Sequence, residues 1–345
     1  MASRPHVVHL QRRPSAGQVS IETVFAVVRQ HLPGYDVEVV LSSQLNTGVL
    51  PRLLAVLEAR RRQGDVTHIV GDVHFLAALL RKRTTVLTIH DTEFVVRTGT
   101  SAVKKLLYTW LWVRLPVWRA GTVTVCSEAT RDDVLGLVGG DPARLHVVPD
   151  PVRELFVPAP LPDNDRPVVL LMGTWPSKNL ARSAQALVGL DCRVLVIGPL
   201  SAEQRGQLAG LDVDHRTDLA DAEVLAAMHA CDLLLFPSLH EGFGLPIIEA
   251  QAAGRPVVTS DRRPMRDVAG GAACLVDPED VASIRSGVLR VLQDSGYRDE
   301  LVAAGLRNVG RFDVRAVAGA YAALYDAVLS RTYTSARPRA VRSQL

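Results

Sequence analysis

Short runs of β-branched and aliphatic residues alternate with amphipathic stretches along the whole chain. Residues 6–10, 37–41, 67–70, 85–89, 123–125 and 145–148 read as strands, with helical periodicity over 21–30, 50–62, 75–81 and 128–137 between them. Strand alternating with helix predicts parallel sheets covered on both faces. The pattern then breaks: six prolines (149, 151, 158, 160, 162 and 167) and Asp163-Asn164-Asp165 give a stretch with linker chemistry, expected to serve as a hinge. Beyond it the alternation restarts, with strands expected at 168–172, 193–197, 233–236, 257–260 and 273–275 and a last helix at 314–329.

This pattern divides the 345 residues into 1–158, 159–313, a C-terminal helix 314–330 expected to pack back on the first domain, and a basic, disordered tail 331–345. The length agrees, since a domain averages roughly 150 residues. The fold class is α/β: two doubly wound, Rossmann-like parallel-sheet domains whose carboxyl edges face one cleft, where such sheets bind ligands. No Gly-x-Gly-x-x-Gly follows the first strand, which argues against a dehydrogenase.

At 48% hydrophobic and 22% charged residues the chain is not disordered, and a net charge of +3 without a basic stripe or reading motif excludes a nucleic-acid binder. Cys126, Cys192, Cys231 and Cys274 lie far apart, as expected of buried thiols in a reducing, cytoplasmic compartment. Residues 106–113, the longest apolar candidate for a membrane span, fall well short of the roughly 20 needed. Only four of the 39 basic residues are lysines: Lys82, Lys104, Lys105 and Lys178. Residues 104–119 are apolar, aromatic and basic, read either as a core helix with solvated ends or as a peripheral contact with an anionic membrane or lipid-linked acceptor.

The richest chemistry follows the apolar run at 233–236, in Pro237-Ser238-Leu239-His240-Glu241-Gly242-Phe243-Gly244-Leu245-Pro246-Ile247-Ile248-Glu249. Two glycines let backbone approach a ligand closely, and the free amides of a helix start, with Pro246 expected first, favour anions or sugar oxygens. Glu241 in the loop and Glu249 in the helix supply carboxylates suited to vicinal hydroxyls. Upstream, Gly173-Thr174-Trp175-Pro176-Ser177-Lys178-Asn179 links a strand to a helix and offers a compact cation to a diphosphate, with Arg182 one turn further on. In the first half, a strand ends in His90-Asp91, and histidine is readily tuned for proton exchange near neutral pH. Asp212-Val213-Asp214 has the spacing of a metal-binding Asp-x-Asp but is rejected as one because it lies inside the second sheet pattern.

Glu241 and Glu249 in this setting resemble the Glu-x7-Glu signature of the retaining GT-B glycosyltransferases of family 4, also called group 1. The resemblance continues in order through 221–228, 252–261 and 271–280. It implies a metal-independent retaining transfer of a hexose-type sugar from a nucleotide-diphosphate donor to an acceptor hydroxyl. Glu249 would hold the donor ribose and Glu241 its hexose, the backbone of Ser238, Gly242, Phe243, Gly244 and Leu245 would line sugar and diphosphate, and Thr217 and Leu219 would lie near the base. Gly173, Thr174, Lys178, Asn179 and Arg182 would surround the diphosphate, with Gly17 touching it from the first domain. By the same resemblance, His90 acts at the donor sugar and Asp91 orients it or meets the acceptor, which is a glycan, lipid-linked or small molecule. Thr174 stands where the family commonly carries arginine, and the loop is one residue shorter than usual. The alternatives are a non-catalytic sugar-nucleotide-binding module or partner subunit, and a sugar-nucleotide epimerase.

Overall fold

The structure is a computed structural model that describes residues 3–13, 20–42, 48–93, 101–139 and 141–336. It divides into two units: one holds the described residues before Asp150 and those after Val314, the other is Asp150–Val314.

The first unit has strands β1 (His6–Gln11), β2 (Asp36–Leu41), β3 (Val66–Ile69), β4 (Thr85–Ile89), β5 (Thr122–Val125) and β6 (Leu145–Val147), in the order β2-β1-β3-β4-β5-β6. The second has β7 (Val168–Met172), β8 (Arg193–Ile197), β9 (Asp212–Arg216), β10 (Leu233–Phe236), β11 (Val257–Ser260) and β12 (Cys274–Val276), in the order β12-β11-β10-β7-β8-β9. Every pairing is parallel. The apolar runs are therefore uninterrupted because central strands of such sheets are covered on both faces.

Helices of the first unit are α1 (Ser20–Gln30), α2 (Val49–Arg61), α3 (Ala102–Tyr108), α4 (Leu115–Arg119) and α5 (Glu128–Val138). Those of the second are α6 (Leu180–Leu187), α7 (Ala202–Gln207), α8 (Asp221–Ala230), α9 (Leu245–Ala252), α10 (Met265–Ala269), α11 (Val281–Gln293) and α12 (Ser295–Asn308), and α13 (Val314–Ala336) closes the described chain.

Three elements differ from expectation. β9 escapes the apolar criterion because Asp212, Asp214 and Arg216 are exposed on an edge strand, where charge discourages further pairing. Asp212 pairs with Arg166 at 2.9 Å and Asp214 with Arg216 at 2.5 Å. Residues 75–81 form a tight 3₁₀ segment, His74–Leu79, ended when Leu80 turns extended (φ −78°, ψ 159°) on the short path into β4. The last helix outruns its expected end: α13 continues to Ala336, so the first residues assigned to a disordered tail are helical, whereas Arg337, Arg339 and Arg342 lie outside the described residues.

Between α3 and α4, residues Thr109–Arg114 widen into a π-type turn in which the Leu115 amide donates to the Trp110 carbonyl. Pro116 explains it, having no N–H for the Trp112 carbonyl four residues back. The His74 ring takes that carbonyl instead, with Nδ1 3.0 Å away.

α13 is fastened to the first sheet through a buried polar rung. The Tyr325 hydroxyl lies 3.0 Å from His9 Nε2 and 2.7 Å from His68 Nδ1, His68 Nε2 lies 2.7 Å from Thr88 Oγ1, and Thr88 Oγ1 lies 2.6 Å from Thr124 Oγ1. The rung thus crosses the adjacent strands β1, β3, β4 and β5. At the surface, Tyr35 donates to Asp326 Oδ1 at 2.7 Å and the Ala322 carbonyl at 2.9 Å. Burial, aided by Arg29, lowers the His9 pKa to about 3, and burial drives His68 well below its ordinary value.

The proline-rich stretch expected as a linker is a strap on the second unit. Arg255, only 1% exposed, donates to the carbonyls of Met228 (2.8 Å), Ala159 (3.2 Å), Pro160 (2.8 Å) and His229 (3.2 Å), so one buried guanidinium ties α8 and the strap together. Gly254 makes the approach possible: its φ is +73°, and a Cβ there would meet the Ala159 carbonyl at 3.2 Å. All four cysteines are buried and free, and among the described residues no helix is long and apolar enough to cross a membrane.

Replacing Arg255 by methionine should lower unfolding free energy by about 3 kcal/mol or more, because several buried carbonyls lose their donor together, and lysine should not restore it. Urea unfolding of both variants measures this. The buried histidines give a second expectation. An unfolded His9 binds its proton near pH 6.5, whereas folded His9 resists it until about pH 3, so stability is complete above 6.5 and falls as pH drops between those values. The unfolding free energy from urea titrations should decline with acidification by up to about 1.4 kcal/mol per pH unit for each such group, and the midpoint with it. A midpoint constant from pH 7 to about 4 would contradict the neutral rung.

Candidate functional site

Strand order in the second sheet reverses between β7 and β10: the chain proceeds from β7 to β8 and β9 on one side, then returns to place β10, β11 and β12 on the other. Loops leaving β7 and β10 therefore diverge and open a crevice at the carboxyl edge.

The first loop runs from Gly173 to Asn179. Gly173 has φ +81°, and a Cβ on it would press on Lys178 Cε at 3.1 Å, so the absent side chain leaves room for the lysine stem to lie across the backbone. Lys178 Nζ then reaches Glu241 Oε1 at 2.6 Å and stands 4.8 Å from the centre of the Phe236 ring. The two residues expected to share a donor thus form an ion pair across the reversal, each largely buried.

Asn179 fixes that arrangement. It is buried in a left-handed conformation (φ 61°), and its amide donates to the carbonyls of Pro237 (3.0 Å) and Pro278 (2.7 Å), which follow β10 and β12. Its Oδ1 accepts from Arg182 at 3.1 Å. The Leu239 amide adds a bond to the Ser177 carbonyl at 2.7 Å. Asn179 and Arg182 accordingly support the loop with their polar atoms. Thr174 is buried too, and its hydroxyl donates to the Pro199 carbonyl, so it supplies no charge in place of the family arginine.

Ser238 is fully buried; its carbonyl accepts from Ser260 at 2.6 Å, while its Oγ has no hydrogen-bond partner among the described residues, and neither has His240 Nε2. The backbone then turns through Gly242 and Gly244 (φ +103°) into α9, with Pro246 at its second position, one later than expected. Phe243 packs edge-on against Phe312, ring centres 5.5 Å apart.

Glu249, one turn into α9, is 6% exposed. Arg153 Nε and Nη2 donate to its Oε1 at 3.1 and 2.8 Å, and Arg153 Nη1 lies 2.5 Å from Asp221 Oδ1. Burial pushes the Glu249 carboxyl above its ordinary range, opposed by the guanidinium. Although burial pulls the other way, Glu249 and Asp221 hold the Arg153 pKa above normal. Nothing in the sequence marks Arg153 as a partner of Glu249. It lies 96 residues from its partner, inside the proline-rich stretch, and no local spacing connects the two. Thr217 (exposed) and Leu219 (half-buried) follow β9 and lead into α8, whose first residue is Asp221.

In the first unit His90 follows β4, mostly buried, with its ring edge-on to Phe25 at 5.8 Å and its carbonyl accepting from Cys126 Sγ at 2.9 Å. Asp91 Oδ1 accepts from the Glu93 amide at 3.1 Å, which shapes the turn after the strand. Gly17 lies outside the described residues.

Comparison with known proteins agrees with this architecture. A Glycosyltransferase Family 4 profile matches residues 1–154, and one for glycosyl transferases group 1 matches residues 166–294. The chain is 34% identical over 175 residues to the phosphatidyl-myo-inositol mannosyltransferase of Mycobacterium leprae (strain TN), covering 46% of each. It is 29% identical over 220 residues to the MMP alpha-(1->4)-mannosyltransferase of Mycolicibacterium hassiacum, covering 59% of this chain and 54% of that one. It thus spans about half the length of these curated relatives. Among solved structures, Anabaena HepE in complex with UDP and glucose matches with a TM-score of 0.74 at 17% identity, over 94% of this chain and 100% of that one. The sucrose-phosphate synthase of Thermosynechococcus elongatus matches with a TM-score of 0.75 at 15% identity, over 95% and 100%. Paired parallel sheets with a loop crevice at the strand-order reversal define the class as GT-B. Within it, the chain belongs to the group 1, family 4 glycosyltransferases.

Arg153→Ala should leave Glu249 buried without its cation, costing about 3 kcal/mol of stability or driving the carboxyl to take up a proton. Adding Glu249→Gln to Arg153→Ala should recover part of that loss in urea unfolding. A double variant no more stable than Arg153→Ala would show that the pair does not matter to the fold.

Proposed function

We propose that the protein is a retaining hexosyltransferase, acting on a nucleotide-diphosphate sugar bound at the second unit. The observation that carries this reading is the Lys178–Glu241 pair, 2.6 Å apart at the strand-order reversal, with α9 and Glu249 directly behind it. Donor diphosphate bound by Lys178 and the first amides of α9 leaves Glu241 free to accept from hexose hydroxyls. Donor binding exchanges the Lys178–Glu241 ion pair for two ligand contacts, so neither charge is stranded. As the glycosidic bond breaks, negative charge grows on the leaving diphosphate, and a fixed cation there stabilises the transition state more than the ground state. Glu249 binds the ribose.

The names of the curated relatives support mannose as the hexose, and that of the mycobacterial relative supports an acceptor hydroxyl carried on a lipid. Residues 104–119 are then the contact with the membrane holding that acceptor. A second reading, a non-catalytic sugar-nucleotide-binding module, is favoured by Thr174, whose hydroxyl is committed to backbone where a second cation would assist departure.

A thermal-shift series with UDP, GDP, dTDP and ADP should single out one base, with about 2.7 kcal/mol of stabilisation at a hundred times the dissociation constant. With the matching donor, Lys178→Ala should reduce kcat by about a hundredfold, and Glu249→Ala should chiefly raise KM. An inverted anomeric configuration in the product would refute retention. Base-selective binding with no transfer or hydrolysis would establish the module, and equal or absent shifts with every nucleotide would defeat the donor site itself.

A further inference from the structure

The segment that leaves β10 is tied down residue by residue. The Phe236 carbonyl accepts from Thr259 Oγ1 at 2.8 Å, the Pro237 carbonyl from the Asn179 amide at 3.0 Å and the Ser238 carbonyl from Ser260 Oγ at 2.6 Å. The Leu239 amide donates to the Ser177 carbonyl at 2.7 Å, and Glu241 Oε1 meets Lys178 Nζ at 2.6 Å. Two side chains in this segment stand apart from the pattern. Ser238 has no exposed surface, the Nε2 of His240 is buried as well, and neither that nitrogen nor the Ser238 Oγ has a hydrogen-bond partner among the described residues.

A buried polar atom without a partner costs free energy, and the great majority in folded proteins are satisfied. Loose packing does not account for this pair, because Asn179, Ser177, Thr259 and Ser260 hold the backbone beside it. The loop is fixed, and the two unsatisfied atoms are fixed with it. Groups ordered in advance and left without partners are completed by a ligand at little further cost in ordering.

The chemistry of the two groups selects that ligand. A serine hydroxyl both donates and accepts, and an imidazole nitrogen does one or the other according to its tautomer. Phosphate oxygens only accept, and the proposed diphosphate already has Lys178 and the first amides of α9 as donors. A sugar hydroxyl donates and accepts as the serine does, so sugar hydroxyls satisfy both groups.

We infer that Ser238 Oγ and His240 Nε2 form a hexose-reading subsite, bonding hydroxyls of the donor sugar and so selecting which hexose is transferred. This deepens the proposed donor site and rests on it. Base, ribose and diphosphate are bound by other groups, so the subsite acts on the sugar alone.

The test compares thermal shifts from GDP, UDP, dTDP and ADP with those from GDP-mannose, UDP-glucose, dTDP-glucose and ADP-glucose. With the matching base, the wild type should gain more from the sugar nucleotide than from the nucleotide, and the difference measures the hexose contact. Ser238→Ala and His240→Leu should keep the nucleotide shift, lose most of that difference, raise KM for the sugar nucleotide by about tenfold and narrow the preference between epimeric hexoses on one nucleotide. His240→Gln, whose amide nitrogen can stand near the Nε2 position, should retain more of the difference than His240→Leu. In the free protein, Ser238→Ala should hold or raise the thermal midpoint, since it removes a buried hydroxyl without a partner. A lowered midpoint there, a sugar nucleotide that adds nothing to its nucleotide, or variants with the wild-type difference and sugar preference, as when water alone fills the subsite, would overturn the inference. The two readings fail separately. No nucleotide shift in the wild type defeats the donor site, whereas a wild-type nucleotide shift with an unaltered hexose difference in both variants defeats only the subsite.

Discussion

The reversal of strand order between β7 and β10 is the constraint on which the site depends. Once β8 and β9 lie on one side of β7 and β10 on the other, the connections leaving the two central strands must part, and their ends lose the lateral packing that neighbouring loops usually share. Asn179 compensates by bonding backbone carbonyls beyond β10 and β12, and Lys178 and Glu241 close the remaining gap as an ion pair. The cross-links that hold the two loops therefore include the charged pair on which the proposed donor site rests.

Buried polar groups elsewhere follow a related rule. Arg255 has carbonyl partners in place of a carboxylate, and the histidine–tyrosine rung beneath α13 consists of groups held neutral by burial. Each fastens a segment with little sheet contact of its own: the proline-rich strap in one unit and the C-terminal helix in the other. Hydrogen-bond geometry specifies a docking position more sharply than apolar contact does, and a neutral group avoids the desolvation cost of an ion. Arg153 combines both roles, bridging strap and α9 while setting the charge environment of Glu249.

Leu50, Leu53, Leu54 and Leu57 of α2 and Val103, Leu106 and Leu107 of α3 are exposed, against the rule that large apolar residues face the sheet. Periodicity reports that a helix is amphipathic but not which way its apolar face points, so residues 104–119 remained open between a core helix and a membrane contact. The structure places Trp112 and Val113 inward and leaves Trp110, Leu106 and Leu107 outside. One stretch therefore packs inward with one face and leaves apolar side chains exposed on the other.

The strands, the two-unit plan and the Gly-x-Gly turn carrying Glu241 and Glu249 were legible in the chain, because each is written in local period and residue type. β9, the 3₁₀ segment at His74–Leu79 and the strap were not. An edge strand can afford charge, a short connection need not complete a helix, and proline reads alike whether it hangs free or is bonded down. The partners Arg153 for Glu249, Arg255 for the strap and Tyr325 for His9 and His68 are separated from their contacts by tens to hundreds of residues. Local pattern thus determined which residues could do chemistry, whereas only tertiary packing decided which charges are paired, because burial and proximity are properties of the folded chain.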